Sequence, residues 1–208
     1  MARCYSDAAM KRQPPLPRIF LVSDARNDAG LESALARLPR GSGLIFRHYH
    51  LPPRGRRARF ERLRKLARRR GHLVFLAADA RAARAWRADG VYGPAAALAR
   101  GPALPRLVTA HSLREIGRAQ RAAAIVLSPV FATRSHPGAQ GLGTVRFRLL
   151  ARWAGGGVIA LGGMTGRRAR ALGTPWAAID GLTWPSACPG PPFGLYRRPI
   201  SARIPKDS

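Results

Sequence analysis

Eight short apolar runs separated by stretches of helical spacing constrain this chain more than any other feature of its sequence. The runs are Ile19-Phe20-Leu21-Val22, Leu44-Ile45-Phe46, Leu73-Val74-Phe75-Leu76, Gly90-Val91-Tyr92, Arg106-Leu107-Val108-Thr109, Ala124-Ile125-Val126-Leu127, Val158-Ile159-Ala160-Leu161 and Ala177-Ala178-Ile179. They are apolar on both faces, as parallel strands must be when helices cover the sheet they form. Between them lie helical patterns such as Leu31 to Leu38 and Arg56 to Arg70, where Phe60, Leu63, Leu66 and Ala67 make one stripe among cations. Eight βα repeats predict a single (β/α)8 TIM-type barrel of the α/β class rather than an open doubly wound sheet. The Arg56 to Arg70 stripe is then the inner face of an outer helix, although its basic face also suits RNA or an anionic membrane surface.

Proline marks the ends of this regular region. Residues 1–18 form a basic arm closing in Q-P-P-L-P-R, and Met10, followed by Lys11-Arg12, is a candidate start. The barrel is expected over 19–184. Residues 185–208 make a tail with Pro185, Pro189, Pro191, Pro192, Pro199 and Pro205 and no helical period. The tail falls where an eighth helix would follow the eighth strand, so a barrel without a regular last helix is part of the expectation. No run approaches the ~18 apolar residues that a membrane span needs, and no leader pattern opens the chain. No membrane partner and a cytoplasmic location are expected. Cys4 and Cys188 have no neighbouring ligands at metal-binding spacing and read as free thiols.

The formal net charge is +27, and only Lys11, Lys65 and Lys206 of the 37 basic residues are lysines. The arginines are scattered along the chain, which suits solvated outer helix faces better than a dedicated nucleic-acid stripe. Nucleic acid is therefore expected as a non-specific partner only.

Barrels of this kind build their sites at the C-terminal ends of the strands, often with a phosphate held after strands seven and eight. After the seventh run comes Gly162-Gly163-Met164-Thr165 and then a helix, a pattern of either a tight turn or an anion cradle; Gly181 follows the eighth run. The sixth run leads into S-P-V-F-A-T-R-S-H-P-G, which gathers Ser128, Thr133, Arg134, Ser135 and His136. Those hydroxyls and cations can clasp a phosphate or make a polar turn punctuated by Pro137-Gly138. His111 and His136 are candidate proton carriers, and His111 reads equally as a structural histidine at a strand end. His48, His50 and His72 have less context.

Three segments carry a family resemblance: V-T-A-H-S-L-R-E-I, A-A-A-I-V-L-S-P-V-F-A-T-R-S-H-P-G and V-I-A-L-G-G-M. They resemble the second half of thiamine phosphate synthases and their thiazole tautomerase relatives. The likeness covers about Ile19 to Leu182 and is specific from Val108 to Gly163. It implies a barrel that joins a pyrimidine methyl pyrophosphate to a thiazole phosphate with Mg2+, expelling pyrophosphate through a carbocation-like state. Position by position, the resemblance places the family's phosphate-binding glycines on Gly162 and Gly163. It places the sixth-loop threonines on Thr133 and Ser135, the loop lysine on His136, and the second-strand arginine on Arg47.

Several family positions are altered. The residues flanking Arg47 are Ile45 and Tyr49 in place of glutamine and lysine, and Pro129 stands where the tautomerase branch has histidine. The Asn-Asp pair after the third strand corresponds to Ala77-Ala78, and the second magnesium aspartate to Ala97. Alanine cannot ligate magnesium, so both family ligand positions are lost and no protein metal ligand is expected; Asp79, beside the lost ligand, and Asp24 are the nearest substitutes. The expectation is a divergent thiamine phosphate synthase-like protein of thiamine biosynthesis that binds phosphorylated small molecules, with Arg47, Thr133 and His136 as catalytic candidates. Ser128, Thr133, Arg134, Ser135, Gly162, Gly163 and Gly181 are its phosphate-binding candidates. The alternatives are a catalytically degenerate barrel that only binds a phosphorylated metabolite, and a basic nucleic-acid-binding protein.

Overall fold

The computed structural model describes residues 15–119, 121–134, 138 and 140–182. Most of the N-terminal arm, the proline-rich tail, both cysteines, Ser135 and His136 lie outside the described residues. Eight strands alternate with helices: β1 (Ile19–Val22), β2 (Gly43–Phe46), β3 (Leu73–Leu76), β4 (Gly90–Pro94), β5 (Arg106–Ala110), β6 (Ala124–Leu127), β7 (Gly157–Leu161) and β8 (Trp176–Ala178). Each pairs in parallel with the next, and β1 pairs with β8 in the register Ile19 to Trp176, closing the barrel. The helices are α1 (Leu31–Arg37), α2 (Pro53–Arg69), α3 (Ala80–Ala85), α4 (Ala95–Leu98), α5 (Leu113–Arg118), α6 (Gly143–Trp153) and α7 (Gly166–Leu172).

The expected barrel is therefore present, with small differences at element ends. Helix α2 begins three residues before Arg56, at Pro53, because a proline at the first helical position gives up no needed hydrogen bond and its fixed φ suits a helix start. Strand β8 takes in Trp176 and ends before Ile179. After β8 comes a single 3-10 turn, Asp180–Leu182, and no eighth helix follows among the described residues. No described helix is long and apolar enough to cross a membrane.

Strand alternation sorts the core into two sets. Phe20, Val22, Ile45, Phe75, Tyr92, Leu107, Val126 and Ile159 point into the barrel, while Leu21, Leu44, Phe46, Val74 and Leu76 face the helices. Helix α2 buries Phe60, Leu63 and Ala67, so its apolar stripe is the inner face of an outer helix.

Two phenylalanines fill the lower interior, and glycines make room for them. The rings of Phe20 and Phe75 meet edge-on with centroids 5.8 Å apart. A Cβ on Gly43, which pairs with Phe20, would lie 2.3 Å from the Phe20 ring, and one on Gly90 would lie 2.5 Å from the Phe75 ring. Gly43→Ala is thus expected to cost about 1–3 kcal/mol through overpacking. Urea denaturation measures this, and combining it with Phe20→Leu should recover part of the loss, whereas simple additivity would show that the clash does not govern this site.

Candidate functional site

The barrel mouth inherits its residues from the interior alternation. Arg47, Thr109 and Ser128 each lie two positions beyond an inward residue, Ile45, Leu107 and Val126, so their side chains emerge on the inward face at the C-terminal strand ends. Together with the loops they line a cavity of about 790 Å³. That volume is of the size that encloses a small molecule.

One wall of the cavity is made by backbone. The amide of Val130 donates to the Leu161 carbonyl at 2.9 Å and that of Phe131 to Gly162 at 3.1 Å, lacing the loop after β6 to the loop after β7. Gly162 and Gly163 hold φ values of +95° and +59°, in the region that favours glycine. A Cβ would lie 2.7 Å from Pro129 at Gly162 and 2.5 Å from the Ala132 carbonyl at Gly163. At Gly181 it would lie 2.2 Å from the Met164 carbonyl. All three glycines line the cavity, so close approach of the loops and access to a ligand draw on the same residues.

Guanidinium groups surround this wall. Arg47, Arg134 and Arg168 all line the cavity. Arg168 lies over the Phe131 ring at 4.4 Å and donates to the Gly163 carbonyl. It escaped the sequence reading, although its signal was there: a cation in the first turn of the helix that follows the Gly-Gly pair. Helix α7 itself has seven residues, and its Thr165 hydroxyl already accepts from the Arg168 amide at 3.3 Å. The charge offered to an anion here comes mainly from side chains.

The sequence candidates divide cleanly by position. Arg47, Ser128, Thr133, Arg134, Gly162, Gly163 and Gly181 come together at the mouth, as does His111. His111 directs Nδ1 to the Ser128 carbonyl, and its amide donates to Glu115 at 2.8 Å. A proton on Nδ1 leaves Nε2 as the ring's remaining acceptor. His72 is structural: Nδ1 accepts from the Ser42 amide and Nε2 donates to the Leu35 carbonyl, each at 3.1 Å.

Against this geometry, the comparisons with known proteins are direct. The model for thiamine monophosphate synthase matches residues 19–181. The chain belongs to the thiamine monophosphate synthase family. A thiamine phosphate pyrophosphorylase from Pyrococcus furiosus superposes with a TM-score of 0.67 at 24% identity, covering 80% of this chain and 86% of that one. One from Bacteroides thetaiotaomicron gives 0.50 at 16%, covering 79% and 82%. FabK from Thermotoga maritima gives 0.60 at 18%, covering 80% of this chain and 58% of its own, which shows the fold alone. No curated protein matches the sequence.

The magnesium of the synthase family does not fit the residues present. Ala77 is buried inside the barrel, Ala78 packs against the outer core, and Ala97 sits on the exposed side of α4; none offers a side-chain oxygen. Asp79 is occupied as the cap of α3, accepting from the Ala82 amide at 2.8 Å, and Asp24 caps the turn after β1. Asp180 is the one carboxylate among the described residues lining the cavity, and Arg26 lies 3.5 Å from it.

A second cluster brings together Asp28, His48 and His50, with potential ligand atoms within 4.8 Å of one another. Its electrostatics favour a clamp over a cation site. Asp28 Oδ1 accepts from Arg59 Nε at 2.7 Å, so a guanidinium already neutralises that carboxylate. A neutral His48 satisfies its other neighbours, with Nε2 donating to Asp28 Oδ1 and Nδ1 accepting from the Ser23 hydroxyl, both at 2.7 Å. Burial holds the His48 pKa below its ordinary value despite Asp28. Ser23 Oγ in turn accepts from the Arg47 amide at 2.9 Å, so the clamp anchors the β2 end that carries Arg47.

Arg59 also grips Glu32 through both oxygens, and that hydrogen bond holds the Glu32 carboxyl below its ordinary value. Burial pushes the Asp28 carboxyl up, but hydrogen bonds from His48 and Arg59 and the Arg59 charge bring it below its ordinary value. Both groups lie below their reference values of 3.8 for Asp28 and 4.5 for Glu32. Their stabilisation is present above those values and is lost as pH falls through the lower folded ones. Urea midpoints measured down through this acid range should fall in the wild type and fall less steeply in Asp28→Asn/Glu32→Gln, which starts less stable at neutral pH.

Proposed function

We propose that this chain is a divergent thiamine phosphate synthase-like protein that binds thiazole phosphate at the barrel mouth without a protein-held metal. The observation that carries this reading is the convergence of Arg47, Arg134 and Arg168 with Gly162, Gly163 and Gly181 around one cavity. Guanidinium groups form charge-assisted hydrogen bonds with phosphate oxygens and stay ionised at any working pH. Thr133 and Ser128 add hydroxyls to the cavity lining. His136 and Ser135, expected in the same grip, lie outside the described residues.

Joining the thiazole phosphate to a pyrimidine pyrophosphate requires charge to be neutralised on the leaving pyrophosphate. With alanine at both family metal-ligand positions, that task falls to Arg47 and Arg134, whose fixed charges replace those of an ion. Arginines bind well but complete a metal-dependent charge pattern only in part, so binding outlasts turnover in this chain. Among the described lining residues Asp180 is the one carboxylate, which favours a second reading of the same site, a carrier or sensor of a phosphorylated metabolite.

Calorimetry at low salt should show thiazole phosphate binding that is unchanged by a chelator and about tenfold or more weaker in Arg168→Ala. Supplied with both substrates and magnesium, the protein should turn over well below the ~1 per second of an ordinary enzyme. No phosphate-ester binding would remove the proposal, and fast turnover abolished by chelation would show that metal ligands exist elsewhere.

A further inference from the structure

The cavity lining includes a hydroxyl that no described residue engages. Tyr92 points inward from β4 and is 9% exposed, set among Phe20, Phe75, Leu107 and other interior side chains. It lines the cavity, and its hydroxyl meets no hydrogen-bonding partner among the described residues. The ring is buried, but the hydroxyl opens into the cavity, where an acceptor on a ligand can take the place of water.

Position decides what that partner is. The glycines and Arg168 belong to the β7 and β8 side, whereas Tyr92 and Thr109 belong to β4 and β5, across the mouth. A molecule whose phosphate sits on the glycine side therefore extends its body towards Tyr92. Arg47 acts on the Tyr92 phenol from β2, and Tyr49 covers that side, with Arg47 5.7 Å and Arg56 5.3 Å from its ring centroid.

We infer that Tyr92 is a specificity-determining residue, donating its hydroxyl hydrogen to an acceptor on the ring of a phosphorylated heterocycle whose phosphate lies on the glycine side. The inference rests on the phosphate-binding reading of the mouth and adds the ring end of the ligand to it. Burial pushes the Tyr92 phenol up to about 12, which keeps the proton on the oxygen throughout the working range. The hydroxyl is thus a donor there, and it selects rings that present an unprotonated nitrogen or a carbonyl over all-carbon rings of equal size.

The test compares two phosphate monoesters on the full chain by calorimetry at one low salt concentration. Thiazole phosphate carries a ring acceptor, and glycerol phosphate carries no ring. Tyr92→Phe keeps the buried ring and removes only the hydroxyl. The expected result is about five- to tenfold weaker binding of thiazole phosphate with glycerol phosphate unchanged. A tyrosine ultraviolet difference spectrum should appear when thiazole phosphate is added to wild type and be absent from Tyr92→Phe. If Tyr92→Phe binds both esters as wild type does, or weakens both equally, the assignment is overturned while the phosphate site stands. If wild type binds neither ester, the reading of the mouth fails and takes this inference with it.

Discussion

Closure of the strand ladder is the constraint from which the rest of the molecule follows. With β1 paired to β8, no strand has a free edge, and each residue must point either into the barrel or towards the helices. Placing Phe20 and Phe75 inside settles the facing of every neighbour through the parallel registers. The same parity brings Arg47, Tyr92 and Thr109 to the mouth. A slip of one residue in β2 would turn Arg47 towards the helices and Phe46 towards the interior, and the fit of Gly43 against Phe20 opposes that slip.

Much of this was legible in the sequence because buried parallel strands are apolar on both faces, a pattern few other elements share. The eight runs were located to within a residue or two, with β8 displaced because Trp176 reads as readily as part of the preceding loop. Helices α3, α4 and α5 have only four to six residues, too short for helical periodicity to show. Most mouth residues were legible too, since the C-terminal ends of barrel strands are where a site must be. Arg168 and the Tyr92 hydroxyl, which no described residue engages, were not, because both depend on packing between segments distant in sequence. Asp79 shows the opposite failure: a carboxylate near a lost ligand position looks available until its capping bond to Ala82 is seen.

The described lining of the mouth carries three guanidinium groups and one carboxylate. Arg56 reaches from α2 to the Arg47 carbonyl at 2.9 Å and the Ala77 carbonyl at 2.8 Å. The ends of β2 and β3 are thereby tied together by one arginine beside Ala77 and Ala78. Arg59 does similar work one turn later in α2, joining Asp28 and Glu32 beneath the loop that carries His48. Two arginines of the helix that reads in sequence as a solvated basic surface are therefore fasteners of the site, and a bare charge count hides this distinction.

The lacing of the β6 loop to the β7 loop makes the cavity unequal from side to side. Its glycine side is backbone packed on backbone at separations that leave no space for a single added carbon. Its β2 side is made of long side chains, including Tyr49 at 62% exposure, which rotate within nanoseconds. A visiting molecule therefore meets a mould at one end and a cushion at the other. Shape is thus fixed on the glycine side of the cavity and yielding beside Tyr49.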